Sequence, residues 1–524
     1  MSLIKINSVT KSYGERTLFT IDQLAIEEGA RIGLVGTNGS GKTTLFRLIA
    51  GLEQADSGHI ERNATTALLP QLKETLSTKS GGETTADYVI NALNKNPKIL
   101  LADEPTTHLD MSHVQWIEKA FHKFSGSFVV ISHDREFLNR VCTKIWELED
   151  NKIKQYAGNY NSYKKEKEKE KQHQWTEYEK YVKKSKQLQK AKEKKAKQAE
   201  NMLKTKHIQG DKVVYTESSN DFYQGKAKKL HRVQKSMETR LDKLEKIEKP
   251  KGSEAIRMEL PEMNKLTNRF IIRANESVGQ VSGKVLWDSS TFSLKAGEKV
   301  ALIGPNGSGK TTLIKKILRG DDRIITLPAI KIGYFSQDLS ILDVSRSILD
   351  NVKDAAVQSE TLIRIVLAQL GFKDYDVHKR VSVLSGGERV KVSLAKLIVG
   401  NYNTLILDEP TNFLDLHAVE ALEGLLQEYE GSILFVSHDR LFIDHIASKV
   451  WAIEDKKVKE FNGTFLEGEK SGSISSGSQD DEELMRIENK IAKVLSDLSI
   501  LPSEEKDREF QELLRQKREL KSRE

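Results

Sequence analysis

A duplicated glycine-rich motif is the feature that most constrains the fold of this chain. The stretch EEGARIGLVGTNGSGKTTL returns as KAGEKVALIGPNGSGKTTL, and Gly304 follows Gly36 at an offset of 268 residues. Two further stretches, LLADEPTTHLD and VVISHDREFL, return as LILDEPTNFLD and LFVSHDRLFI at an offset of 305 residues. The chain is therefore a tandem duplication. Its first copy lacks about 37 residues between the first motif and the later ones, which we interpret as the loss of a small helical insert.

The repeat predicts four regions. They are copy one at 1–158, a linker at 159–268, copy two at 269–468 and a C-terminal extension at 469–524. The extension begins with a Ser/Gly-rich stretch, Ser471–Ser478, which is typical of a flexible linker. Two short amphipathic runs then flank Pro502, with apolar residues three or four positions apart. This spacing predicts a helical hairpin in the extension.

Short apolar runs predict buried strands within each copy. In copy one, the runs 31–35, 99–102 and 128–131 are bounded by glycine or charged residues. Strands of this kind, alternating with helices, form mostly parallel sheets. The predicted fold class is therefore α/β, with two tandem domains joined by a helical linker.

Composition excludes several classes of protein. Hydrophobic residues make up 38% and charged residues 30% of the chain, as expected either when one part is a highly charged extension or when the whole chain is unusually polar. The single cysteine, Cys142, excludes a disulfide framework and a cysteine-rich metal site, and it fits a reducing cytosol. No apolar run approaches the roughly 18 residues that span a bilayer, and the N-terminus shows no signal-peptide pattern. We therefore expect a cytoplasmic protein that does not cross a membrane.

The net charge of +7 is unevenly distributed. Residues 164–250 contain 26 Lys and Arg against 14 Asp and Glu, a balance of +12, which leaves −5 for the rest of the chain. A basic segment on a mildly acidic body indicates a polyanionic partner. A solvated helix face rich in Lys and Glu would show the same balance, so charge alone leaves both interpretations open.

Both glycine-rich stretches match the phosphate-loop pattern GxxxxGK[ST]. Glycines let backbone amides turn toward phosphate oxygens, and the following helix N-terminus favours negative charge. Lys42 and Lys310 are predicted to reach the β- and γ-phosphates, and Thr43 and Thr311 to bind Mg²⁺. The predicted phosphate-binding residues are Gly36, Asn38, Gly39, Gly41, Lys42, Thr43 and Thr44 in copy one, and Gly304, Asn306, Gly307, Gly309, Lys310, Thr311 and Thr312 in copy two.

An acidic pair ends a predicted strand in each copy, namely Asp103-Glu104 and Asp408-Glu409. The aspartate is suited to holding Mg²⁺ through water, and the glutamate to polarising the water that attacks a phosphate. A helix N-cap would explain one such pair. It would not explain two pairs that each lie downstream of a phosphate loop.

With these motifs, both copies resemble the nucleotide-binding domains of ATP-binding cassette proteins. The matching positions are the signature residues Ser80, Gly82, Ser385 and Gly387, the Q-loop residues Gln71 and Gln337, the D-loop residues Asp110 and Asp415, and the switch residues His133 and His438. The resemblance implies that the Q-loop glutamines join in Mg²⁺ binding and that the switch histidines contact the γ-phosphate. It also implies two ATP sites between the copies, one pairing Lys42 with Ser385 and the other Lys310 with Ser80.

Two positions depart from the family pattern. Tyr13 stands 23 residues before Gly36, where the family places an aromatic residue that stacks on adenine, whereas copy two has Val281 there. The first signature has Lys79 where leucine is usual. The resemblance therefore favours the site of Lys42 and Ser385 over that of Lys310 and Ser80.

The linker predicts two paired helices. Residues 160–204 contain no Gly or Pro and are rich in Lys, Glu, Gln and Ala, so one helix of roughly 65–70 Å is expected. A second helix is predicted at 225–247, with apolar residues Leu230, Val233, Met237, Leu241, Leu244 and Ile247 facing Trp175, Tyr178, Val182 and Leu188. The intervening tip, 203–224, carries Val213, Val214, Tyr215, Phe222 and Tyr223. Aromatic residues beside a basic rod suit RNA contacts, although a local hydrophobic cluster would have the same composition.

Two fused cassettes with a long charged linker resemble the ABC-F subfamily, and the GNY-SY wording at 158–163 is similar to Vga-type antibiotic-resistance proteins. The resemblance implies a monomeric, ribosome-associated ATPase that uses ATP and Mg²⁺ and has large-subunit rRNA, P-site tRNA and ribosomal proteins as partners. It would protect bacterial ribosomes from lincosamides, pleuromutilins and streptogramin A compounds, from the tRNA exit site. A housekeeping ABC-F translation factor and an ATPase subunit of a separate drug exporter are the alternatives.

Overall fold

The computed structural model describes residues 2–70, 88–89, 92, 97–107, 109–204, 217–242, 244, 247, 269–281, 283–336, 339–463, 494, 508 and 510–516. The chain divides into two compact units. One contains Met1–Asn161 and Glu254–Glu524, and the other contains Ser162–Ser253. Both copies of the repeat therefore lie in the first unit. The predicted boundaries of the four regions stay a prediction.

Copy one is built on a mostly parallel sheet. Its elements are β1 (Ser2–Tyr13), β2 (Arg16–Glu27), β3 (Arg31–Gly36), α1 (Lys42–Ala50), β4 (Ser57–Arg62), β5 (Thr66–Leu69), β6 (Ile99–Asp103), α2 (Met111–Lys123), β7 (Ser127–Ile131), α3 (Arg135–Val141), β8 (Lys144–Glu149) and β9 (Lys152–Ala157). The strand order is β5-β6-β7-β3-β8-β9, with only the β8–β9 pair antiparallel. The strands predicted from apolar runs are confirmed, and β6 and β7 are buried along their whole length.

The described part of the second unit is formed mainly by two helices, α4 (Tyr160–Lys204), whose first two residues belong to the first unit, and α5 (Glu217–Asp242). The prediction for α4 is confirmed at both ends. Lys192 Nζ lies 2.6 Å from Glu238 Oε1, consistent with two helices that pair. Helix α5 begins eight residues earlier than the predicted Gly225, so the expected tip of 203–224 is wrong in its second half, where Phe222 and Tyr223 belong to a helix. The cluster Ser218-Ser219-Asn220-Asp221 is typical of a turn, but it lies in the first turn of this helix, and the same residue types are common at helix N-termini.

The predicted contact stripes of this pair are largely confirmed. Trp175, Tyr178, Val182 and Leu188 on α4 and Leu230, Met237 and Leu241 on α5 are half-buried. Val233 is the exception: its side chain is 41% exposed, and the neighbouring Gln234 is half-buried instead. Residues 233 and 234 differ by 100° around a helix, so a small rotation exchanges them.

Copy two repeats the same architecture. Its elements are β10 (Phe270–Val281), β11 (Lys284–Lys295), β12 (Lys299–Ile303), α6 (Lys310–Arg319), β13 (Ile324–Thr326), β14 (Ile332–Phe335), α7 (Ile348–Lys353), α8 (Glu360–Gln369), α9 (Gly386–Ile398), β15 (Thr404–Asp408), α10 (Leu416–Glu428), β16 (Ser432–Val436), α11 (Arg440–Ile446), β17 (Lys449–Glu454) and β18 (Lys457–Asn462). The strand order β14-β15-β16-β12-β17-β18 matches that of copy one. Helices α7 and α8 form the helical insert that the sequence assigns to copy two alone.

A second sheet covers each copy, and the sequence did not predict it. Strands β2-β1-β4 and β11-β10-β13 form these three-stranded antiparallel sheets. Ile4, Ile6 and Phe19 of the first sheet pack in one core with Leu45 and Phe46 of α1. The sheet therefore fixes the helix that follows the phosphate loop.

The described part of the C-terminal extension is small. Residues 510–516 are helical, and Leu513 and Val494 are buried. Most of the predicted hairpin lies outside the described residues. Among the helices that the structure describes, none is both long and apolar enough to cross a membrane.

Candidate nucleotide-binding sites

Each phosphate loop joins a buried strand to a helix N-terminus. Gly41 and Gly309 cap helices α1 and α6 with φ of 106° and 103°, a left-handed conformation that favours glycine. A Cβ atom on Gly41 would lie 3.1 Å from the ring of Phe19, a tight contact that adds to the backbone strain that any other residue would have at this φ. The loop sequence is thus required by its backbone geometry as well as by any phosphate.

The two loop lysines have the same environment. Lys42 Nζ donates to the carbonyl oxygens of Gly36 and Thr37, at 2.8 and 3.1 Å. Lys310 Nζ donates to Gly304 and Pro305, at 2.8 and 3.0 Å. Burial lowers the pKa of both lysines. A phosphate placed in the loop would add a negative charge directly beside these buried ammonium groups.

The threonine after each lysine contacts the aspartate of the acidic pair. Thr43 Oγ1 donates to Asp103 Oδ2 at 2.8 Å, and Thr311 Oγ1 donates to Asp408 Oδ2 at 3.0 Å. The phosphate loop and the acidic pair both follow carboxyl ends of parallel strands, so they meet at one edge of the sheet. Burial raises the pKa of both aspartates, and a bound cation would reverse that shift.

The glutamate of each pair faces the predicted switch histidine. Glu104 Oε1 lies 3.3 Å from His133 Nε2, and Glu409 Oε1 lies 3.1 Å from His438 Nε2. Both glutamates have a φ of 52°, which is uncommon for residues other than glycine. The same strained backbone in both copies turns each carboxylate toward its histidine.

The two copies meet at these motifs. Asn38 Nδ2 donates to the carbonyl of Phe413 at 2.9 Å, and the amide of Asn306 donates to Asp110 Oδ2 at 3.2 Å. Ser385 caps helix α9, and a Cβ atom on Gly387 would lie 3.4 Å from Asn38 Nδ2. The second signature therefore lies against the first phosphate loop, as the pairing of Lys42 with Ser385 requires.

A cavity of about 890 Å³ occupies this junction. Thr37, Gly39, Glu104 and His133 line it from copy one, and Ser385, Gly387, Lys391 and His438 line it from copy two. The volume is of the size that small-molecule cofactors occupy. The cavity thus brings together part of the site predicted for Lys42 and Ser385, although Lys42 itself does not line it.

Comparison with known proteins decides the family. The ABC transporter family model matches residues 20–79 and 287–412. Ribosome protection protein VmlR of Bacillus subtilis is 30% identical over 99% of this chain and 98% of its own length. The chain belongs to the ABC-F family of ATP-binding cassette proteins. It is an ATPase, and its two cassettes bind ATP.

Two further comparisons agree with this assignment. Erythromycin resistance ATP-binding protein MsrA of Staphylococcus epidermidis is 32% identical over 87% of this chain and 99% of its own length. The solved structure of an RNase-L Inhibitor has a TM-score of 0.59 at 17% identity, covering 92% of this chain and 98% of the other. The structural likeness supports the twin-cassette fold.

Several residues of the predicted sites are not tested by these contacts. Gln71, Ser80, Gly82 and Gln337 lie outside the described residues, so the site of Lys310 and Ser80 is seen only from its Lys310 side. Tyr13 is 53% exposed, and its hydroxyl donates to Glu53. Thr44 and Thr312 lie in the first turns of α1 and α6, next to Thr43 and Thr311. The nucleotide and metal roles of all these residues stay predictions.

The two D-loop aspartates are stabilised differently. Asp110 accepts hydrogen bonds from His113 and Ser112, which hold its pKa well below the usual range although burial opposes the shift. Asp415 lies 3.0 Å from Lys391 Nζ, and this cation lowers its pKa against the effect of burial. The D-loop of one cassette therefore has a histidine partner and that of the other a lysine.

Sequence reasoning missed two arginines at this interface. Arg135 and Arg440 follow the switch histidines by two residues in each copy, and their side chains are buried between the cassettes. Their repetition at the offset of 305 was the available signal. It could not be interpreted from sequence because the partners lie in the opposite cassette.

Proposed function

We propose that this ATPase binds the bacterial ribosome and protects it from antibiotics that act on the large subunit. The full-length similarity to VmlR, which is named a ribosome protection protein, is the observation that carries the proposal. The basic helical segment that joins the two cassettes in the sequence supports it, because a polyanionic partner such as rRNA suits that charge. The drug classes we propose are lincosamides, pleuromutilins and streptogramin A compounds.

In each cassette, the phosphate loop and the acidic pair would hold MgATP. Lys42 and Lys310 would bind the β- and γ-phosphates, and Thr43 with Asp103 and Thr311 with Asp408 would hold Mg²⁺. Mg²⁺ takes few protein ligands and completes its shell with phosphates and water. The ion would neutralise phosphate charge during transfer.

Glu104 and Glu409 would activate the attacking water, and His133 and His438 would contact the γ-phosphate. Burial lowers the pKa of His133, which favours the neutral imidazole. A neutral ring has one donor and one acceptor nitrogen. Nε2, the nitrogen that faces Glu104, would carry the hydrogen and donate a hydrogen bond to a phosphate oxygen.

The linker would act inside the ribosome. We propose that the protein enters the tRNA exit site and that its linker displaces peptidyl-tRNA near the peptidyl-transferase centre, so that the drug leaves. Helix α4 has 45 residues, which correspond to about 68 Å. A helix of this length suits such a reach.

Drug susceptibility tests the proposal directly. Bacterial cells that express the chain should survive higher concentrations of these drugs than cells without it, whereas cells expressing the double variant Glu104→Gln, Glu409→Gln should not. If the wild-type chain changes susceptibility to none of the three classes, a housekeeping role in translation becomes the better interpretation.

A further inference from the structure

Arg135 and Arg440 are the first residues of helices α3 and α11, two positions after the switch histidines. Their side chains are 1% and 5% exposed. A buried guanidinium is unfavourable unless carboxylates or carbonyls satisfy it. Both arginines therefore depend on their partners, and these lie in the opposite cassette.

Arg135 reaches two carboxylates of cassette two. Its Nη1 donates to Glu423 Oε2 at 2.9 Å, its Nη2 donates to Glu423 Oε1, and Nη2 also lies 3.2 Å from Asp439 Oδ2. Asp439 directly follows His438 and caps α11 by accepting from the amide of Phe442. Arg135 thus joins its own switch loop to the switch loop of the other cassette.

The symmetry-related contact is looser. Arg440 Nη1 lies 3.7 Å from Glu118 Oε1, and Arg440 Nη2 donates to the carbonyl of Met111 at 3.2 Å. A bidentate arginine–carboxylate pair, such as Arg135 forms with Glu423, is the stronger arrangement.

The neighbours of the two glutamates explain this difference. Glu118 is held within its own cassette by Arg140, whose Nη1 lies 3.1 Å from Oε2. The position equivalent to Arg140 in cassette two is His445, whose Nδ1 lies 3.3 Å from Glu423 Oε2. A guanidinium is always charged and competes for the carboxylate, whereas an imidazole competes less. Glu423 is therefore the freer acceptor for an arginine from across the interface.

We propose that Arg135 is a positioning residue that links the two switch loops when the cassettes pair, so that His133 and His438 are set in place together. Arg440 does the same more weakly. The inference rests on the proposed roles of the switch histidines. Although burial opposes it, His445 and Arg135 lower the pKa of Glu423 to about 2, so the acceptor is ionised at neutral pH.

A double-mutant cycle on ATP hydrolysis by the purified full-length chain, without ribosomes or drug, tests this link. Arg135→Gln and Glu423→Gln should each lower kcat about tenfold and change KM less than about threefold, because misplaced groups slow chemistry more than binding. The double variant should be no slower than the slower single variant, since both remove one link. Arg440→Gln is the matched control and should lose less activity.

Melting temperatures separate positioning from loss of fold. Arg135→Lys keeps the charge without the bidentate geometry, so it should fold like wild type and still lose kcat. Additive losses in the cycle, a larger loss in Arg440→Gln, or full kcat in Arg135→Lys would overturn the proposal. Because the assay contains no ribosome, its failure is distinguishable from failure of the protective function.

Exchanging the neighbouring residues gives an independent test. His445→Arg places a permanent competitor on Glu423, so kcat should fall toward that of Arg135→Gln. Arg140→His frees Glu118 for Arg440 and should leave kcat at or above wild type. If kcat falls in Arg140→His and does not change in His445→Arg, these two residues do not cause the difference between the arginine contacts.

Discussion

At the residue scale, Glu104 and Glu409 are the side chains on which ATP turnover should depend most. Each has a left-handed backbone conformation, and its carboxylate lies within 3.3 Å of a switch histidine. Replacing both with glutamine keeps the shape but removes the negative charge and the base. We expect nucleotide binding to persist and kcat to fall by roughly 10² to 10⁴. Phosphate-release kinetics would measure this.

The matched control is Glu61→Gln, a change of the same kind at an exposed position of β4. It should hydrolyse ATP like wild type. The double variant should also stay bound to ribosomes in sedimentation with ATP, because closure without hydrolysis leaves the cassettes paired. Normal ATP turnover by the double variant would contradict the role of the two glutamates in activating water.

Asp134 makes a second residue-scale prediction. Burial, and next the charge of Asp439, raise the pKa of Asp134 to about 7. A carboxyl whose pKa is raised on folding favours the folded state below its unfolded pKa, and this contribution is lost as the pH rises through about 7. Asp134→Asn should therefore melt higher than wild type at pH 8 and by a clearly smaller margin at pH 5, where part of the contribution remains. Asp439→Asn, which removes a partner of Arg135, should melt at a lower temperature than wild type at pH 5 and at pH 8. A melting temperature of Asp134→Asn below that of wild type at pH 8 would contradict this prediction.

The motif residues could be predicted because their spacing is local. Phosphate loops, acidic pairs and signature turns are each set by a few consecutive residues, and Lys42, Thr43 and Asp103 lie together as expected. Arg135 and Glu423 could not be paired from sequence, because 288 residues separate them and only packing of the cassettes joins them.

At the scale of elements, helix α4 was predictable and the antiparallel sheets were not. A run without Gly or Pro and rich in helix formers specifies a helix by itself. Strands such as β1 instead alternate buried and exposed residues, with irregularities in register between Ser2 and Ile4 and between Lys11 and Ser12. Such irregularities interrupt the period-two pattern of apolar residues from which these strands could have been predicted.

The basic face of α4 should determine ribosome affinity. Replacing Lys183, Lys184, Lys194 and Lys195 with glutamate should remove the chain from ribosome pellets at moderate salt while its melting temperature stays near that of wild type. Each lost phosphate contact should reduce the slope of log affinity against log salt by roughly 0.7 to 0.9. The same four positions changed to arginine keep the charge and are the control. Equal pelleting of the glutamate variant and wild type would refute an electrostatic role.

The segment that joins α4 to α5 should decide protection. Replacing residues 205–216 with a short Gly-Ser turn removes Val213, Val214 and Tyr215 and keeps both helices as defined here. The shortened chain should still bind ATP and ribosomes but should no longer lower drug susceptibility. If cells that carry it remain as resistant as those with the full-length chain, the proposed displacement by the tip is wrong.

For the whole molecule, the duplication provides two similar sites whose surroundings differ. One D-loop aspartate is paired with His113 and the other with Lys391, and only one of the two interface arginines forms a bidentate pair. The single variants Glu104→Gln and Glu409→Gln should therefore retain unequal rates of ATP hydrolysis. Equal rates would show that these differences do not affect turnover.

Protection of translation in a cell-free system tests the central claim most directly, because such a system contains no membrane across which a drug could be exported. Purified bacterial ribosomes inhibited by a lincosamide, a pleuromutilin or a streptogramin A compound should resume synthesis when the chain and ATP are added. The Glu104→Gln, Glu409→Gln variant should give no recovery. If the wild-type chain restores no synthesis while cells that express it resist the same drug, protection at the ribosome is contradicted and export through a partner transporter becomes the better account.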